Sequence, residues 1–225
     1  ALDAAGEACR GDGGAVMDRI GSLIAWTPFL VGGFSLNILI ALTATAIGTV
    51  AGALLCMMML STRRLPQMAA RGVCAFFRNI PTLVLVFYLA TFIPNQIVVW
   101  DQHVIDLPKW ISASIAFAAS PLGFTAWNLH ASILAWRSGH KSEALLFIPN
   151  LISGFMITLL ASSTSSLVGV NEIVSRCNAL IAANGMTNTI PVYMYAALFF
   201  VLFCILITSL AKFVKGHIVK RYSGT

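Results

Sequence analysis

Long apolar segments alternate with short polar ones along most of this chain. A helix needs about 20 apolar residues to cross a hydrocarbon core roughly 30 Å thick. Intervals of this length without formal charge lie at 20–62, 79–100, 110–136, 144–171 and 177–211. They are continuous apolar runs, whereas strands of a membrane barrel alternate strictly between apolar and polar residues. The pattern therefore predicts five transmembrane helices.

Composition agrees with a membrane protein rather than a soluble one. The chain is 58% hydrophobic and 10% charged, and its mean hydropathy is +0.86. The predicted fold class is all-α membrane, with a flexible N-terminal tail at 1–19 and a single transmembrane domain at 20–225. The five cysteines form no CxxC pair and show no metal-ligand spacing, so we interpret them as packing residues and expect no metal site.

The positive charge indicates the orientation of the chain in the membrane. Basic residues are scattered among the loops and form no aromatic-lined patch, so the net charge of +6 is not interpreted as a nucleic-acid surface. The positive-inside rule favours an external N-terminus and a cytoplasmic C-terminus. This orientation leaves Arg10, Arg19, Lys109 and Arg176 outside, and it places inside Arg63, Arg64, Arg71, Arg78, Arg137, Lys141, Lys212, Lys215, Lys220 and Arg221.

Polar residues at membrane depth are the candidates for a solute route. Arg78 and Asn79 precede the helix-breaking Pro81 at the predicted start of the second span. Asn128 and His130 lie near the inner end of the third span. Each has an ordinary alternative, because an arginine at a helix end can extend to the headgroups and a single histidine is usually a packing residue.

Small and hydroxyl residues in two spans indicate close packing. Gly48 and Gly52 form a GxxxG pattern in the first span, where a second helix could approach within the same subunit or from a partner. The run SSTSS begins at Ser162 in the fourth span. Its hydroxyls could bond their own helix backbone or line a wet cavity.

The motifs of common enzymes and of nucleotide binding are missing from the sequence. It has no GKS/T phosphate loop, no GxSxG and no HExxH, so we expect no enzyme and no cofactor bound by this chain. Paired carboxylates within the spans are missing too, which argues against a self-powered secondary carrier.

Three segments resemble the membrane subunits of polar amino acid ABC importers. They are the Gly33-Phe34, Asn37, Gly48 and Gly52 pattern in the first span, the sequence FFRNIPTLV from Phe76, and the sequence LVGVNEI from Leu167. The resemblance covers most of the chain from about Trp26 onward. It implies five spans with the N-terminus outside, in a bacterial inner membrane.

The resemblance also implies partners. These are a second permease subunit in a homo- or heterodimer, two cytoplasmic ATPase subunits that hold the ATP, an external solute-binding protein, and membrane lipid. Such subunits couple to their ATPases through a cytoplasmic loop after the third span. Here the matching segment is short, and its coupling candidates are Arg137, Gly139, Glu143 and Ala144.

These observations leave three functions open. The first is a permease subunit of an ATP-driven importer for polar amino acids or similar small solutes, working by alternating access. The second is an accessory or scaffold subunit that kept the permease fold and lost ATPase coupling, as the short loop suggests. The third is a passive channel or secondary carrier of unrelated origin.

Overall fold

A computed structural model describes residues 21, 23–92, 96–99, 103–184 and 189–222, and the predicted tail at 1–19 lies outside these residues. The described part is almost entirely helical. Its α-helices are α1 (Thr27–Met59), α2 (Arg64–Asn79), α3 (Thr82–Phe92), α4 (Lys109–Phe117), α5 (Ala119–Arg137), α6 (Lys141–Leu145), α7 (Phe147–Ser162), α8 (Ile173–Asn184) and α9 (Thr189–Tyr222). A 3₁₀ helix spans Ser163–Val168. An antiparallel hairpin pairs β1 (Gln96–Val99) with β2 (His103–Asp106).

Three helical stretches among the described residues are each long and apolar enough to cross a bilayer. They are Thr27–Met59, Lys141–Val168 and Thr189–His217. They correspond to the first, fourth and fifth predicted spans, and large apolar side chains stand exposed along them, as lipid contact requires. The all-helical membrane fold predicted from the sequence is therefore confirmed.

The third crossing is made of two helices that join almost without interruption. The Ala118 N–H, between α4 and α5, donates to the Ser114 carbonyl at 3.0 Å, and the Leu122 N–H donates to the Ala118 carbonyl at 3.0 Å. Thr43 of α1 bonds Ser114 at 2.8 Å, and further along α1 Gly52 lies against Leu122. The contacts advance together, so α1 runs parallel to α4 and α5, as expected for first and third spans.

The second crossing differs from the predicted interval 79–100, which was wrong at both ends. Helix begins at Arg64, breaks at Ile80 and Pro81, and ends at Phe92, after which β1 follows. The Cys74 thiol contacts the Gly123 carbonyl at 3.4 Å, while Val86 packs near Ala113. The crossing α2–α3 is thus antiparallel to α4–α5. The predicted interval left out α2 because Arg64, Arg71 and Arg78 interrupt the uncharged run there.

The last predicted interval, 177–211, also needs correction. It contains the end of α8 and the start of α9, two separate helices. The sequence has an Asn-Gly pair at 184–185, a typical turn former that interrupts an otherwise apolar run. The Phe34 ring of α1 makes edge-to-face contacts with Phe200 and Phe203 of α9, with ring centroids 5.0 and 5.7 Å apart. The fifth crossing is therefore α9, which packs mainly on α7 and α8 and reaches α1 through these aromatic side chains.

Two glycines let α1 approach the third crossing closely. A Cβ at Gly48 would come within 2.6 Å of the Ala118 carbonyl oxygen and of Pro121. A Cβ at Gly52 would come within 2.7 Å of the Leu122 carbonyl oxygen. Both glycines face α5 of the same chain rather than lipid. Of the two alternatives that the sequence left open, the structure therefore shows packing within the subunit.

We expect Gly48→Ala to destabilise the protein by about 1–3 kcal/mol, because backbone on both sides must move. The matched control is Gly72→Ala in α2, where an added Cβ meets nothing within 4 Å. Thermal unfolding in detergent can be followed with a thiol-reactive dye, since Cys56, Cys74 and Cys177 are buried. Equal midpoints for the two variants would contradict this packing role.

Candidate functional site

A buried amide on α1 connects three parts of the chain near the outer end of the bundle. Asn37 has no exposed surface. Its Nδ2 donates to the Ser162 hydroxyl and to Oε2 of Glu172, each at 3.0 Å. Its Oδ1 accepts the Ile173 N–H at 3.2 Å. The Asn37 side chain therefore ties the end of α7 and the start of α8 to α1.

Glu172, also fully buried, caps the first turn of α8. Its carboxylate accepts the Val174 N–H at 3.0 Å and the Ser175 N–H at 3.2 Å. With the Asn37 amide, three N–H donors surround this carboxylate, and the positive end of the α8 dipole lies beside it. These donors replace the water that a buried carboxylate would otherwise require.

The glycine and phenylalanine of the first-span motif lie on the same face of α1 as Asn37. A Cβ at Gly33 would lie 2.8 Å from the Ile173 backbone nitrogen. Phe34 packs among the α9 aromatics described above. This part of the motif has a physical explanation: Gly33 admits the α8 backbone, Phe34 contacts α9, and Asn37 bonds the α8 terminus.

The hydroxyl run before α8 shapes the turn rather than a wet surface. Ser163 and Thr164 donate to carbonyls three residues earlier, each at 2.8 Å. Such bonds fit the 3₁₀ geometry found there. The run ends at Gly169, whose φ of +81° is one that glycine adopts without strain. The chain then turns directly into the Glu172 cap.

A cavity with a mixed polar and apolar lining lies beside the break in the second crossing. Its volume is about 380 Å³. Its walls come from α5 and from the residues just before Pro81, and they comprise Phe77, Ile80, Ser120, Gly123, Phe124, Trp127 and Asn128. The Pro81 carbonyl accepts two N–H groups from the first turn of α3, those of Val84 and Leu85. A helix interruption and a lining of aromatic side chains and an amide thus occur together in this part of the chain.

The four predicted route residues are not all at this cavity. Asn128 lines it, donating to the Phe124 carbonyl at 2.8 Å and accepting from Asn150 at 3.3 Å. The backbone of Arg78 lies in the last turn of α2, and its side chain is outside the described residues; Asn79 ends that helix and is exposed. His130 follows Asn128 by two residues, which places it about 200° around the helix from the cavity side.

The four coupling candidates lie in one compact turn at the end of α5. Arg137 ends α5, and Gly139 has a φ of +88°. Glu143 lies in the single-turn helix α6 and is exposed, as are Arg137 and Gly139. Ala144 is buried, and its N–H donates to the His140 carbonyl at 3.2 Å. The turn therefore offers three exposed positions and one packed residue.

Several residues of these two sites were not singled out as polar contacts from the sequence. Asn37 and Glu172 entered only through the family resemblance, and Ser162 only as part of the hydroxyl run. The available signals were an amide in the middle of an apolar span and a carboxylate directly after one. Ser120 and Trp127 carry no such signal, because their roles depend on which face of α5 meets α2.

No protein-family model matches the chain, and no curated protein sequence matches it. Its fold is similar to a solved structure described as a crystal structure of an amino acid ABC transporter with histidines. The TM-score is 0.71 at 16% sequence identity, over 87% of this chain and 97% of that one. The chain therefore has the fold of this membrane transporter chain over nearly its whole length.

We expect Asn37→Leu to lower the free energy of unfolding by about 2 kcal/mol, because the Ile173 N–H and the Glu172 carboxylate each lose a buried partner. The control is Ser35→Ala on the same helix, whose exposed hydroxyl bonds only the Gly32 carbonyl. Thermal unfolding in detergent measures both. An Asn37→Leu midpoint equal to that of Ser35→Ala would show that the amide does not stabilise the α8 terminus.

Proposed function

We propose that this chain is the membrane-spanning permease subunit of an ABC importer, a transport subunit rather than an enzyme. It takes polar amino acids or similar small solutes across a bacterial inner membrane by alternating access. Energy comes from ATP on separate cytoplasmic ATPase subunits. A second permease subunit completes the pore, and an external solute-binding protein delivers the solute.

The cavity of mixed lining beside the broken second crossing is the observation that carries this proposal. Backbone that leaves helical geometry within a membrane is stable only where protein or water satisfies its polar groups. Transport proteins commonly place solute sites at such interruptions, where half-helix ends face the ligand. Asn128 and Ser120 supply hydrogen-bonding groups, and Phe124 and Trp127 supply apolar contact. This lining suits a small polar solute better than a lipid.

The turn around α6 supports attachment of an ATPase. It connects α5, which lines the cavity, directly to α7, which bonds Asn37 through Ser162. A force that a bound ATPase applies to α6 would therefore be transmitted to α5 and to α7. The exposed charged groups of this turn are Arg137, Lys141 and Glu143, and of these Arg137 and Glu143 would make the contact.

The size of the same turn favours a second candidate, the scaffold subunit. Helix α6 contains five residues. An interface that transmits force normally buries more surface than one helical turn offers. A subunit of this kind would keep the α1 core and bind other membrane proteins without driving a transport cycle.

Blocking the cavity tests the transport role. We expect Ser120→Phe to reduce uptake at least tenfold in cells that express the whole transporter, because a ring placed at this half-buried wall fills much of the space. The control is Ala131→Phe, an exposed position on the same helix. A panel of radiolabelled polar amino acids reports uptake. Normal uptake by properly assembled Ser120→Phe would remove the cavity from the route.

Charge reversal in α6 tests coupling separately. We expect Glu143→Arg to abolish co-purification of an ATPase subunit in mild detergent, as scored by mass spectrometry. Thr62→Arg introduces a cation at an exposed residue of the same membrane end and should leave the complex intact. If no ATPase accompanies even the unmodified chain, the scaffold function replaces the importer.

A further inference from the structure

A second pocket lies between α7 and α9, at the end of the bundle that carries α6. Its volume is about 250 Å³. Lys212 and Lys215 line one side, and Asn150 and Ser153 line the other. Met156 and Ala211 are among its apolar lining residues. The pocket is separate from the solute cavity, whose walls are α2 and α5.

The two lysines have no acidic partner in the part of the chain that the structure describes. Both are exposed, and none of the pocket's lining residues is an aspartate or glutamate. A lysine at a helix end often simply extends to the headgroup layer. Here, however, two lysines one turn apart border a concave surface that also presents an amide and a hydroxyl. This arrangement suits an anion with further hydrogen-bonding oxygens.

We propose that this pocket binds the headgroup of an anionic phospholipid from the cytoplasmic leaflet. The predicted orientation places α6 and the end of α9 at that leaflet, where anionic lipids attract basic residues. The phosphodiester lies between Lys212 and Lys215. Headgroup hydroxyls reach Asn150, which uses one N–H on Asn128 and keeps another.

The surroundings of the pocket favour a lipid over a free anion. Pro149, Met156 and Ala211 provide an apolar floor that inorganic phosphate would not use. Above the lysines, on nearly the same side of α9, Val201 and Ile205 are exposed along the hydrocarbon region. An acyl chain attached to the bound headgroup would lie against such a surface. The charged groups therefore lie where the headgroup would bind, and the apolar surface lies where the acyl chains would follow.

The test measures lipid binding to the full chain, delipidated in detergent, by native mass spectrometry. Phosphatidylglycerol and phosphatidylcholine with identical acyl chains are the probes. We expect phosphatidylglycerol to bind roughly tenfold more tightly than phosphatidylcholine, and Lys212→Gln with Lys215→Gln to remove this preference. The charge-matched control is Lys141→Gln with Lys220→Gln, at the same end and outside the pocket lining, which should change affinity by less than about threefold.

Ser153→Phe provides an independent arm, because it adds a ring to the pocket lining and keeps both lysines. It should also remove the preference for phosphatidylglycerol. Equal losses in the two double variants, or undiminished preference in Ser153→Phe, would reduce the effect to diffuse surface charge and overturn the proposal. Displacement of the lipid by millimolar inorganic phosphate would overturn it in favour of a small-anion site. Loss of an ATPase from the lysine double variant, with lipid binding unchanged, would overturn it in favour of a protein contact.

Discussion

The bundle depends on the capping of α8 by Asn37 and Glu172. A helix that starts inside a membrane domain presents unpaired N–H groups with no water available to satisfy them. Glu172 and Asn37 together accept the N–H groups of residues 173–175. The carboxylate is in turn held by the Asn37 amide, so neither side chain is satisfied without the other. The result fixes α8 against α1 and, through Ser162, fixes the end of α7 as well.

Close helix approach supplies the second constraint. Gly33 on the α8 side of α1, and Gly48 and Gly52 on the α5 side, leave almost no space for a Cβ. Association of helices in lipid relies on such backbone contact because lipid tails are as apolar as the side chains. Helix α1 is consequently central: it contacts α5 on one face and α7 and α8 on others, and its Phe34 and Thr27 side chains reach α9. The hydrogen-bonded cap positions these contacts, and the glycines allow them.

The sequence was sufficient for the helical membrane class and for three of the spans, because long uncharged runs have few other solutions. The sequence prediction misplaced the second crossing because Arg64 and Arg71 interrupt the apolar run on α2. The small residues Ala70 and Cys74 of this helix are nevertheless buried against α1 and α5. The prediction merged α8 with α9 because both are apolar, and hydropathy does not show a change of direction. The cavity residues Ser120 and Trp127 could not be found from the sequence, since their position depends on how α5 is rotated against α2.

The Asn37 cap and the cavity beside Pro81 differ in how firmly hydrogen bonds hold the backbone around them, and this difference matters for a transport cycle. The Asn37 cap is fully buried and uses every acceptor on strong N–H donors, so moving it would expose several unpaired groups at once. Helix α3, beyond the Pro81 break, leaves most of its described large side chains exposed, with Val86 buried against the core. The backbone is not helical at Ile80 and Pro81, so a change in angle there breaks few backbone hydrogen bonds. The proposed solute cavity borders this break, so the interruption in the second crossing adjoins the space whose access would alternate in the proposed cycle.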